Sequence, residues 1–457
     1  MSEQPLPQPR PEFKGAPHQE QPRLRPIRVV GMPVQGPDGQ QQMMMGISDA
    51  RQISPSMVAA HPAFQGVLGL MDGSRALDAI VEEVGRGLQR GMLEQFVAQL
   101  DDAGLLEGPV FDKMLADVRE AFDKSDTLPP GSTAQMADLL VMGKHGPETT
   151  DEQKKAEGPD TLRAALRGWI QQAREQEGFR PLESLPAGVV GPHLDYPRGW
   201  LNYATIYGAL EGLEAPDRVV ILGSNHFGVA TGVCGVDKGY ETPLGTMPLD
   251  AELFQGLKTA LGEENTSRLL AERYDHENEH SVELHLPWIQ HVFGDLPVLA
   301  ALVHDPAREN GESYDGNGLA LDPFVEALSR AIEGVGGRTL IVSSADLSHV
   351  GPSFGDRVNL LEEEGEGAQL REQVLRHDRE MIRHLEEGRP EDLIGAMAWQ
   401  QNPTRWCSAG NLIAGMRLAG ASRLEVLRYN AAMDQQGQAL VSSVAGVWAT
   451  EDSGGSL

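Results

Sequence analysis

Three apolar runs in the C-terminal part of this 457-residue chain each end in small residues and then a histidine, and that repeated pattern constrains the fold more than any other feature. Val189-Val190-Gly191-Pro192 leads to His193, and Val219-Val220-Ile221-Leu222-Gly223-Ser224-Asn225 leads to His226. Ile341-Val342-Ser343-Ser344-Ala345-Asp346-Leu347-Ser348 leads to His349. Short apolar runs bounded by small residues read as buried strands. With these three, the apolar runs at 188–190, 219–222, 298–303, 340–342, 424–427 and 441–448 alternate with helix-period segments at 201–213, 251–261, 323–332, 370–385 and 407–418. That alternation predicts an α/β sheet with helices on both faces. Open α/β sheets collect ligands at the carboxyl ends of their strands. If these strands are parallel neighbours, their histidines meet there.

A second histidine-rich block, His276-Glu277-Asn278-Glu279-His280-Ser281-Val282-Glu283-Leu284-His285, sits near a predicted helix start. Neutral imidazole ligates zinc, iron and copper, and a thiolate such as Cys407 adds a soft donor. Taken singly, each histidine reads as an ordinary hydrogen-bonded residue, and Cys407 reads equally as a small buried hydrophobe. Only their joint occurrence suggests a site.

Composition narrows the partners. With 67 acidic against 38 basic residues the formal charge is −29, a field that repels phosphate backbones and anionic headgroups, so neither nucleic acid nor a membrane surface is an expected partner. No apolar run reaches the ~18 residues needed to span a bilayer. The N-terminus lacks the apolar segment of a secretory signal. Two cysteines, Cys234 and Cys407, are too few for a disulfide scaffold, so a reduced, cytoplasmic protein is expected.

Along the chain, residues 1–23 are Pro- and Gln-rich and are expected to be a disordered tail, as are 451–457. Residues 24–108 predict a small domain. In it, a hairpin of strands near 27–30 and 40–45 turns at Gly36-Pro37-Asp38-Gly39, a helix-like segment opens at Ser54-Pro55 and runs to Leu70, and two amphipathic helices follow. Residues 109–160 read as a charged linker with a short helix at 114–122, and a helix over 161–177 opens the second domain, which runs to residue 450.

Two resemblances carry these readings further. "LMDGSRALDAIVEEV" followed by "EQFVAQLDDAGLLEG" resembles the winged-helix domains of the PqqD-like group, which implies a peptide bound along a strand edge and a helix groove; a helical cap is the equal alternative. The ordered blocks "GPHLDYPRG", "VVILGSNHFG", "YETPLGTMPLD", "ENEHSVELHLPWIQHVF", "IVSSADLSHVG", "WCSAGNLIAGM" and "LVSSVAGVWA", over about residues 182–450, are similar to the Memo family, which includes the B proteins of the AmmeMemoRadiSam system. That resemblance implies a class III extradiol dioxygenase-like α/β sandwich. It implies metal ligation by His193, His226 and Cys407, with Fe(II) favoured over copper. It places Asp346 and His349 in the pocket, His280 in a proton-moving role, and Glu283 and His285 among the groups that orient the ligands. The implied function is a metal-dependent redox enzyme of unassigned substrate. The alternative is a non-enzymatic, peptide-binding scaffold for a radical SAM enzyme or an AMMECR-type protein. Two departures from the family pattern stand out: its Ala-Gly after the first histidine is Leu194-Asp195 here, and its Cys-Gly is Cys407-Ser408-Ala409-Gly410.

Overall fold

A computed structural model describes residues 11–35, 41–85, 87–309 and 311–450. It divides the chain into two compact units, Met1–Lys124 and Ser125–Leu457.

In the first unit, β1 (Ile27–Gln35), β2 (Gln41–Asp49) and β3 (Met57–Ala60) form an antiparallel sheet in that order. The turn at 36–39 lies outside the described residues. Five helices accompany the sheet: α1 (Pro17–Glu20), α2 (Gln65–Leu68), α3 (Leu77–Val84), α4 (Arg90–Asp102) and α5 (Pro109–Lys124). Ile47, Leu77, Ile80, Leu93, Val97 and Leu100 make its core. The helix expected from Ser54 to Leu70 forms only in its second half, as a turn at Pro62–Phe64 and α2; its first half is a correction. Residues 57–60 alternate between exposed and buried, so Val58 and Ala60 pack inward while the backbone pairs with β2. Residues 11–23, expected within a disordered tail, carry α1. There the buried Gln19 donates from Nε2 to Asp101 Oδ2 at 2.7 Å, a tertiary contact that composition does not register.

The expected linker at 109–160 likewise carries α5, β4 (Thr127–Leu128), α6 (Ser132–His145) and the start of α7 (Asp151–Arg174). Helix α7 begins ten residues before the expected 161 because Thr150 and Gln153 form a reciprocal capping box.

The second unit is built on an eight-stranded sheet. Four parallel strands, buried at every residue but Thr339, run in the order β5 (Gly188–Gly191), β11 (Thr339–Ser344), β6 (Arg218–Gly223) and β10 (Val298–Leu302). Strand β7 (Cys234–Gly235) adds antiparallel to β10. At the other end, β14 (Leu440–Ala449) lies antiparallel to β5 and also pairs with β12 (Asp346–Val350) and β13 (Arg423–Met433). A separate three-stranded sheet joins β4, β8 (Gly239–Thr242) and β9 (Gly245–Met247). The helices are α8 (Tyr196–Leu210), α9 (Ala251–Leu270), α10 (His280–Glu283), α11 (Leu286–Phe293), α12 (Leu321–Val335), α13 (Glu366–Glu386), α14 (Pro390–Gln400) and α15 (Ala409–Leu418). Every strand expected from the apolar runs is present.

Alternate residues of a strand point to opposite faces. Val190 and Ile341 join the core that α15 closes through Leu412 and Ile413, while Gly191 faces Ile206 of α8. Helices therefore cover both faces, as the alternation predicts. The fit of α15 is close enough to need glycine: a Cβ at Gly415 would stand 1.8 Å from Ser343 Oγ, and one at Gly410 would stand 2.1 Å from the His304 carbonyl oxygen. Gly415→Ala is expected to cost about 2–3 kcal/mol by overpacking. Ser343→Ala in the same chain removes the clashing oxygen but also the acceptor for Trp448 Nε1 at 3.2 Å, so urea denaturation of the double variant should recover part of that loss. A Gly415→Ala protein as stable as the parent would contradict this packing. No helix among the described residues is long and apolar enough to cross a membrane.

Candidate metal centre

The site forms where parallel strands end. Pro192 stops β5 and delivers His193, while Ser224 and Asn225 carry β6 on to His226. Cys407 precedes α15, whose N-cap is Ser408. One donor atom from each of His193, His226 and Cys407 lies within 4.8 Å of the others, and His193 Nε2 is 3.3 Å from Cys407 Sγ.

Both imidazoles have an assignable tautomer. His193 Nδ1 lies 3.1 Å from Ser344 Oγ, at the end of β11, and that hydroxyl gives its single proton to the Ser281 carbonyl at 2.5 Å. The hydroxyl must then accept from His193 Nδ1–H, leaving a lone pair on Nε2 toward the thiol. His226 Nδ1 lies 3.0 Å from Glu279 Oε1, a carboxylate that only accepts, so Nδ1 carries a proton there too. Glu279 also accepts from the His226 backbone N–H at 2.7 Å and from Ser281 N–H at 2.9 Å.

Burial pushes the His193 pKa well below its ordinary value, and the nearby His226 and His280 push the same way, so its ring is neutral. For His226, burial lowers the pKa, but Glu279 and the bond to Cys407 outweigh it and hold the ring well above the ordinary range. Burial acts against ionisation of Glu279, yet His226 and His280 hold its pKa down to about 2.

The remaining predicted residues divide. His280 packs its ring 4.8 Å from His226 and 5.7 Å from His193, with its Nδ1 3.2 Å from Glu279 Oε1; it is 26% exposed and sits on the solvent side of the cluster. Asp346 is buried, accepts from the His193 backbone N–H at 3.2 Å and stands 3.8 Å from His193 Nε2. Burial raises its pKa to about 7. His349 has Nδ1 2.9 Å from the Leu347 carbonyl and 3.1 Å from that of Arg405, and burial lowers its pKa to about 4.

Glu283 and His285 touch none of the three donors, which corrects their expected orienting role. Glu283 accepts from the backbone N–H groups of Gly131, Ser132 and Thr133 at 2.8–3.0 Å, so its carboxylate caps the start of α6. His285 takes a hydrogen bond from Tyr207 Oη at 2.8 Å and packs against Gly191, supporting the backbone beneath His193 rather than its ring. The orienting groups are Glu279 and Ser344. Sequence reasoning passed over both, although each lies inside a block that carries a candidate site residue, His280 in one and Asp346 and His349 in the other. Asp195, the carboxylate gained relative to the family pattern, caps α8 by accepting from Arg198 N–H at 3.2 Å. Cys234 and Cys407 are both unpaired.

Fold and site together define an α/β protein whose parallel strands deliver two oriented imidazoles to a thiol on the segment just before α15. The chain belongs to the Memo family: the family model for Memo-like proteins matches residues 155–448. It is similar to a MEMO1 family protein of Methanopyrus kandleri, 29% identical over 55% of this chain and 78% of that one. A MEMO1 family protein of Aquifex aeolicus is 26% identical over 68% of this chain and 73% of its own. One from Pyrobaculum aerophilum is 30% identical over 36% of this chain, a match that spans 54% of the relative.

Proposed function

We propose that His193, His226 and Cys407 hold one metal ion, Fe(II) by preference and copper second, in a redox enzyme of unassigned substrate acting in an AmmeMemoRadiSam-type system. The observation that carries this reading is that each imidazole has its Nδ1–H held by an acceptor, so that both turn Nε2 toward one thiol, His193 with a lone pair there and His226 with a proton that a cation would displace. Metal-bound imidazoles ordinarily donate their other N–H to a carboxylate or an oxygen acceptor, and Glu279 and Ser344 fill those positions. In the metal-free protein a proton on His226 satisfies Glu279, and a cation at Nε2 would take over that role. Two imidazoles and a thiolate are borderline-to-soft donors that suit iron or copper. When bound, the ion supplies a redox-active centre.

The chain's own groups then handle protons. Asp346, with its pKa near 7, exchanges a proton at neutral pH within reach of His193. His280, partly exposed beside His226, connects the pocket to bulk water. The finer fold reading, a class III extradiol dioxygenase-like sandwich, fits the site's place at the strand ends. Two unpaired cysteines suit a reducing, cytoplasmic setting.

Protein purified without oxygen should carry about one iron or copper ion per chain by elemental analysis, and a chain that neither carries nor takes up either ion defeats the proposal. A peptide-binding scaffold is the second reading. It is favoured by β1 being an edge strand with Val29 and Val30 44% and 49% exposed. Under that reading, capture of a radical SAM or AMMECR-type partner survives removal of the metal ligands.

A further inference from the structure

We propose that Asp378, on α13 and outside the donor cluster, is a positioning residue that sets where Cys407 stands. The inference rests on the metal reading for its consequence and on the packing alone for its geometry.

Asp378 is completely buried, yet four donors converge on its carboxylate. Oδ1 accepts from Ser348 Oγ at 2.5 Å and Trp406 Nε1 at 2.7 Å. Oδ2 accepts from Tyr429 Oη at 2.7 Å and Ser442 Oγ at 2.5 Å. The donors come from β12, the segment ahead of α15, β13 and β14. One carboxylate thus ties four separate stretches of chain together, using all of its lone-pair directions. Two of those donors adjoin the site directly: Trp406 precedes Cys407, and Ser348 precedes His349.

The segment that presents Cys407 is one that needs holding. Gln401, Asn402 and Arg405 all have positive φ, at 57°, 46° and 60°, a conformation non-glycine residues keep only where their surroundings enforce it. Asn402 brackets Trp406 at both its N–H (2.8 Å) and its carbonyl (2.7 Å). Thr404 accepts His349 N–H at 2.7 Å through its carbonyl, and its hydroxyl bonds His377 Nδ1 at 2.9 Å. On the site side, this arrangement ends in the 3.3 Å approach of Cys407 Sγ to His193 Nε2. Release of Trp406 Nε1 from Asp378 would free the strained segment to relax and carry the sulfur away.

The test uses the full, metal-free chain in three variants. Trp406→Phe keeps an aromatic ring at the position but removes the indole N–H, with its bonds to Asp378 and to Ser348 Oγ at 3.2 Å, and part of the ring's volume. Asp378→Asn removes the charge that gathers all four donors. Tyr429→Phe cuts a link on the far side, at β13. Each is titrated with Co(II) while the thiolate-to-cobalt absorption is followed, and iodoacetamide labelling of Cys407 is read by peptide mass without metal. Trp406→Phe and Asp378→Asn are expected to weaken Co(II) binding ~10–100-fold with loss of the thiolate band. Tyr429→Phe should change it less than about threefold. Labelling of Cys407 should shift in the first two variants and not in the third. A folded Trp406→Phe protein with parental affinity, band and labelling rate overturns the inference, whether or not Asp378→Asn folds. If the parent itself shows no thiolate band, the metal reading fails. The labelling rates then decide the positioning role by themselves: a shift upholds it and equality overturns it.

Discussion

Cys407→Ser and His193→Ala are each expected to strip the protein of tightly bound metal. Sites with four protein donors bind with roughly 10–16 kcal/mol, so one donor accounts for about 3–4 kcal/mol. Loss of one of three therefore lowers affinity by roughly two to three decades, enough to leave purified protein nearly empty. The fold should survive in the cysteine variant, because Cys407 is only partly buried and its backbone is held by Ser224 Oγ, which donates to its carbonyl at 2.9 Å, and by the bracketed Trp406 before it. Cys234→Ser is the matched control. That thiol is buried in β7 with its Sγ 3.1 Å from the Glu272 carbonyl, and its loss should leave metal content unchanged. Elemental analysis beside thermal melts reads both quantities. Retention of a full ion by either ligand variant would remove these residues as the binding site.

Acid should destabilise the metal-free protein steeply between pH 6 and 5. Burial holds His276 near pKa 4, His285 near 3 and His349 near 4, each below the unfolded value of 6.5. Each is neutral in the fold and takes up a proton on unfolding across that window. Their stabilisation is complete above pH 6.5 and is lost as pH falls toward the folded values. Asp346 works the other way: burial raises its pKa to about 7 from 3.8, so its folded form holds a proton that the unfolded form has released. Below pH 6 His226 is protonated in both states and adds little, while the neutral His193 takes up a further proton on unfolding. The net uptake of at least about two protons corresponds to a slope of roughly 2.7 kcal/mol per pH unit or more, with stability rising as pH rises. Urea denaturation at pH 5.0, 5.5 and 6.0 measures it; a flat or inverted profile would mean that these histidines are charged in the fold.

Much of the second unit could be read from local pattern. The apolar runs at 188–190, 219–222, 298–303, 340–342, 424–427 and 441–448 all became strands, because a buried strand needs only a short apolar run with breakers at its ends. Strand β12 escaped, since Asp346-Leu347-Ser348-His349 is polar by composition; its pairing to β14 and the bonds of Ser348 to Asp378 and Thr404 make it a strand. In the first unit, Met57–Ala60 offered four residues with no clear period, and pairing with β2 decided them. The same limit applied at the site. His304 follows β10 just as His193 follows β5, yet its Nε2 turns to the carbonyls of Gly311 and Glu312, at 3.3 and 2.9 Å, and takes no part in the cluster.

The order of hydrophobic and polar residues by itself determined the α/β alternation, the places where strands stop, and which imidazoles and thiol were available at those stops. Periodicity and chain breaks act over a few residues, so they leave a mark in the linear string. Only the tertiary structure decided the partners: Glu279 for His226, Ser344 for His193, Glu283 for the start of α6, and Asp378 for the segment before Cys407. Hydrogen bonds and buried charges are satisfied by whatever donor the packed chain brings within about 3 Å, and for these groups that donor comes mostly from another stretch of chain.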